Sequence, residues 1–134
     1  MPRPVVRLAR FALLLSLVGC ATADRLPEPA DFPSHTPGEL VTLHWRIERA
    51  EGAATAVGVI EVGPVDRVAD VLVALEGFDR VGRVVSRSTA LVTPRGFGGQ
   101  PLWPFTVQLG RTGQEERFAL RTVQVTPRVM RGGP

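Results

Sequence analysis

Val68-Ala69-Asp70-Val71-Leu72-Val73-Ala74-Leu75-Glu76-Gly77-Phe78, then Asp79-Arg80-Val81-Gly82, then Arg83-Val84-Val85-Ser86-Arg87-Ser88, is the stretch that decides the fold. Successive side chains of an extended chain point to opposite faces. Val71, Val73 and Leu75 therefore share one face, and Leu72 and Ala74 share the other. Apolar residues on both faces predict a central strand. Asp79 to Gly82 is a turn, since Asp braces it through its side chain and Gly supplies a positive φ. The β-branched and hydroxyl residues over 83–93 form the return strand.

Working outward, the same period of two recurs on both sides. Toward the N-terminus, Val41, Leu43, Trp45 and Ile47 alternate with Thr42, His44, Arg46 and Glu48. After the Glu51-Gly52 turn a second strand runs over 55–62, and Gly58 inside it marks a bulge or a close backbone approach. Gly63-Pro64 breaks the run. Toward the C-terminus, Trp103, Phe105, Val107 and Leu109 alternate with polar residues. Pro104 puts this strand at an edge or a bulge, because it cannot donate to a ladder. In the last strand Phe118 and Leu120 share one parity and Val123 and Val125 the other, which requires a bulge near Arg121-Thr122. No segment carries a 3.6-residue period. Short strands separated by turns every 8–12 residues or so predict an all-β, antiparallel β-sandwich of six to seven strands. Its facing alternate residues share one dry core.

The chain has 134 residues, 16 basic and 13 acidic. Every basic residue is arginine, and Arg3, Arg7 and Arg10 precede an apolar run over 11–18. The remaining 13 arginines balance the 13 acidic residues, and no basic stripe or RGG-like run occurs, which argues against nucleic-acid binding. The apolar run is shorter than the roughly 20 residues a bilayer span needs. It suits the core of an export signal. Residues 21–39 carry Pro27, Pro29, Pro33 and Pro37 among charged residues and are expected to be a semi-extended tether.

Leu17-Val18-Gly19-Cys20 ends that apolar run with the single cysteine. It resembles the lipobox of bacterial lipoproteins. The resemblance implies cleavage before Cys20, acylation of its thiol and new N-terminus, and a partner in membrane lipid. The expected division is a signal peptide over 1–19, a tether over 20–39, the sandwich over 40–126 and a tail over 127–134. Ala21 beside the cysteine is not Asp. By the sorting rule of enteric bacteria, this implies the periplasmic face of the outer membrane.

A second resemblance spans about forty residues, from 68 to 107. It is to FxLYD-type and related immunoglobulin-like domains of bacterial surface proteins. Its elements are Val71–Leu75, Phe78-Asp79-Arg80-Val81-Gly82, Val84-Val85, the Pro/Gly loop over 94–100, and Pro104-Phe105-Thr106-Val107. Leu75, Gly77 and Phe78 stand where that family has Phe, Leu and Tyr. The likeness implies an immunoglobulin-like sandwich that binds or spaces, and it brings no catalytic residues.

The polar residues suggest no catalytic, cofactor or metal site. His35 and His44 have no acidic or thiol ligand at metal spacing and are expected to face solvent. Ser86 and Ser88 lie in no nucleophile turn. Gly96, Gly98 and Gly99 precede no helix that would cradle a phosphate. Asp66, Asp70 and Asp79 match no calcium loop, and Glu115-Glu116 are expected to form a solvated turn. Phe97, between glycines in a loop, is the candidate contact residue; the alternative is that it caps the sandwich. The expected function is non-enzymatic, a lipid-anchored envelope protein that binds a protein partner or serves a structural role. The alternatives are an accessory lipoprotein of a secretion or transport machine, or a small-ligand carrier.

Overall fold

The computed structural model describes residues 26–63, 67–94 and 100–129. Cys20, Phe97 and the segment 1–19 lie outside the described residues. A short 3-10 turn, Pro29–Asp31, precedes seven strands. They are β1 (Ser34–Thr36), β2 (Val41–Ala50), β3 (Ala53–Val62), β4 (Val68–Phe78), β5 (Val84–Val92), β6 (Leu102–Gly110) and β7 (Arg117–Pro127).

The strands form two antiparallel sheets, one ordered β1-β2-β3-β6 and the other β5-β4-β7. This is the expected all-β sandwich, with β4 central in its sheet. Constant-type immunoglobulin domains put strands one, two, five and four in one sheet and three, six and seven in the other. Here β2 and β3 form a hairpin within one sheet and β6 joins them, so the strand order is distinct.

The alternation read from sequence becomes the core. Val41, Leu43 and Trp45 of β2 face Ile60 and Val62 of β3, with Trp103, Phe105, Val107 and Leu109 of β6 on the same side. Val71, Val73 and Leu75 of β4 close the core from the other sheet, with Val92 and Leu120. Each such side chain contributes roughly 1.5–3 kcal/mol by leaving water.

Four local features follow the sequence signals. Gly58 pairs with Trp45, and a Cβ on Gly58 would stand 2.0 Å from the His44 carbonyl oxygen, so the close approach is to the β2 backbone. The β7 register against β4 passes from Gln124 opposite Leu72 to Thr122 opposite Val73, which leaves Val123 as the bulged residue. The bulge turns Val125 toward the core while Val123 stays 38% exposed. Pro104 sits in β6, an edge strand. In the β4–β5 turn, Asp79 Oδ1 accepts the N–H groups of Val81 (3.0 Å) and Arg83 (2.9 Å), and Gly82 has φ 85°.

The sheet starts earlier than the sequence pattern indicates. Ser34–Thr36, inside the segment expected to be a tether, pairs with Trp45, His44 and Leu43. Phe32 just before it is 3% exposed. Pro33 and Pro37 bracket a strand of three residues, too short to show a period. Thr36 fastens this strand to the opposite sheet. Its hydroxyl accepts the Trp45 indole N–H (3.1 Å) and donates to the Leu120 carbonyl (3.0 Å).

Candidate functional site

Two polar side chains are buried among the described residues, His44 and Glu115, each 7% exposed. Both overturn the sequence expectation of solvated residues, for different reasons.

Glu115 secures the β6–β7 connection. Its carboxylate accepts the N–H of Thr112 (2.7 Å), the Thr112 hydroxyl (3.1 Å) and the N–H of Gly113 (3.0 Å). Its side chain packs where Gly77 has no Cβ; a methyl there would stand 2.6 Å from Glu115 Cγ. The Thr112 N–H is the main reason the carboxyl titrates low, at about 2, against an opposing push from burial. Glu116 remains exposed. The carboxylate is fully engaged by its own loop, so its role is structural.

His44 belongs to a different arrangement. It lies on the outer face of the four-stranded sheet, in the row His35, His44, Val59, Pro104 set by the strand register. His35 and His44 are directly opposite across β1 and β2, which brings side chains within contact distance. The two Nδ1 atoms stand 2.6 Å apart, with the rings edge-on at 72°. On the other side of the ring, His44 Nε2 is 2.9 Å from Glu61 Oε2. Val59, next in the row, is fully buried although it faces outward.

This is a chain of three groups, Glu61 to His44 to His35. An ionised carboxylate only accepts hydrogen bonds, so His44 Nε2 carries the proton facing Glu61. In the neutral ring His44 Nδ1 is then bare, and it accepts from His35 Nδ1–H. The chain ends in His35, whose residue is exposed, on a three-residue edge strand. Arg46, the nearest outward cation on β2, is engaged with Glu48 at 2.9 Å.

Sequence spacing missed this site because the residues are nine apart in an unrecognised hairpin. The signal was present in Pro37-Gly38, a turn dipeptide that folds 34–36 back onto 43–45. No group of three or more His, Cys, Asp or Glu among the described residues is arranged to hold a metal ion. A hollow of about 310 Å³ beside the β4–β5 turn is lined by Asp79, Arg80, Val81, Arg83, Gln114 and Glu116. It lies open to solvent, and Asp79 is already committed to the turn.

Comparisons with protein-family models, with curated proteins and with solved structures each gave no match.

Proposed function

We propose that the chain is an exported envelope lipoprotein, held by acylated Cys20, whose sandwich is a non-catalytic module that binds a protein partner. The observation that carries this reading is Leu17-Val18-Gly19-Cys20 at the end of the apolar run. A thiol with no second cysteine has no intrachain disulfide to form. Each buried lipid methylene contributes about 0.8 kcal/mol, and two or more chains give a stable anchor.

The geometry supports a binding role through β5. This edge strand is hydrogen-bonded in its sheet only to β4. It carries Val84 and Leu91, 48% and 60% exposed. The edge strand β6 of the other sheet runs beside β5, so what β5 offers a partner is this outward apolar face. Glu115 and Asp79, the carboxylates with displaced titration among the described residues, are both occupied by loop N–H groups and are not poised for acid–base work.

The test is fractionation with mass spectrometry of the native protein. The product should begin at Cys20 and carry added fatty acyl mass, and Cys20→Ala should move it out of the membrane fraction. An intact Met1, or a processed product without fatty acid, refutes the anchor.

A further inference from the structure

We propose that His35 and His44 form a two-imidazole site for a late first-row divalent cation, with copper(II) bound most tightly, and that Glu61 positions it. The inference rests on the side chains of the sandwich and stands apart from the lipid anchor.

The arrangement has the parts such a site needs. Two imidazole nitrogens converge, Nδ1 on Nδ1 at 2.6 Å, from adjacent strands in direct register. Glu61 holds the far nitrogen of His44 at 2.9 Å. A carboxylate behind a histidine is the usual partner of a metal-bound imidazole; it fixes the tautomer and raises the basicity of the ligating nitrogen. Here it leaves His44 Nδ1 as the bare nitrogen, and that is the atom facing His35.

The distances are compatible with an ion between the rings. Metal–nitrogen bonds of about 2.0–2.1 Å place two ligands roughly 2.9–3.4 Å apart on one ion, for angles between square-planar and tetrahedral. The nitrogens must part by less than about 1 Å, and the His35 ring must turn so that both lone pairs aim at the ion and not at each other. His44 is packed in place, so the movement falls to His35, which is exposed and sits on the shortest strand. The His35 proton shifts from Nδ1 to Nε2 of the same ring, so a neutral His35 binds without net proton release. Water fills the remaining positions on the exposed side.

Ligand chemistry selects the metal. Imidazole suits copper, zinc and nickel, whereas magnesium and calcium want oxygen. Among divalent ions of the series, copper(II) binds a given nitrogen site most tightly. With two protein ligands and open positions the site suits acquisition or exchange of an ion rather than permanent structural use.

The experiment adds Cu²⁺ alone to the purified full chain, followed by calorimetry and electron paramagnetic resonance. One equivalent should bind, with splitting from two imidazole nitrogens. His35→Ala should abolish that two-nitrogen signal while the chain still unfolds in one cooperative transition, at a somewhat lower midpoint because His44 Nδ1 loses its donor. Glu61→Gln should weaken binding by roughly 10- to 100-fold while keeping the two-nitrogen signature. The same measurements in Cys20→Ala exclude the thiol as the ligand and make the result independent of anchoring. The proposal is overturned if the wild-type chain takes up no Cu²⁺, or if the two-nitrogen signal survives in His35→Ala. Splitting from a single nitrogen in the wild type overturns it as well, leaving the pair as a plain hydrogen bond.

Discussion

Glu115 and Asp79 show how a loop carboxylate can be spent on structure. Asp79 titrates low chiefly because the Arg83 N–H bonds it, and Glu115 is lowered to about 2 chiefly by the Thr112 N–H. The sign of the consequence follows from proton counting. As pH falls, a Glu in the unfolded chain takes a proton near its ordinary value of 4.5, while the folded Glu115 stays ionised. The unfolded state then binds more protons, and stability falls. The contribution is complete above about 4.5 and is lost as pH falls toward about 2. Glu115→Gln should therefore lower stability at neutral pH and flatten its decline between those values, measured by denaturant midpoints across the range. A variant with an unchanged acid slope shows that other carboxylates carry it.

At the scale of elements, β1 is the part most dependent on a single side chain. Three residues give few ladder bonds, and the Thr36 hydroxyl supplies the link to the other sheet. Thr36→Val keeps the shape and leaves the Trp45 N–H without its acceptor. The expected cost is about 1–3 kcal/mol, the range for an orphaned buried donor. Denaturation should show that loss, with a red shift in tryptophan emission as Trp45 becomes wetter. Strands β2 to β7 were legible in the sequence because each is long enough to show its period. Gly58, Pro104 and the parity switch around Arg121-Thr122 announced their own irregularities, since each breaks a rule of the ladder. The histidine pair was not legible. It depends on β1, which two prolines confine to three residues, and on Glu61 reaching back from β3. Glu115 was missed because its burial comes from the absent Cβ of Gly77, a contact between distant turns that no local pattern encodes.

At the scale of the whole molecule, neither sheet can be completed from neighbours in sequence. β6 must find β3, and β7 must find β4 across the intervening β5 and β6. The last strand therefore determines whether the sandwich exists at all. It brings Leu120 opposite Leu75 and Phe118 opposite Gly77, and turns Val125 onto the core. Three such side chains contribute roughly 1.5–3 kcal/mol each. That is comparable with the whole stability of a small domain, about 5–15 kcal/mol. Losing them would also uncover the buried edge of β4, a template for aggregation, and remove the carbonyl that Thr36 bonds. Truncation after Glu116 should abolish cooperative unfolding even though six strands remain in the chain. Trp45 and Trp103, both buried in the intact sandwich, report the result. A truncated protein that stays monomeric, melts in one transition and keeps both indoles shielded would show that the four-stranded sheet stands alone. The core would then be two separable layers rather than one.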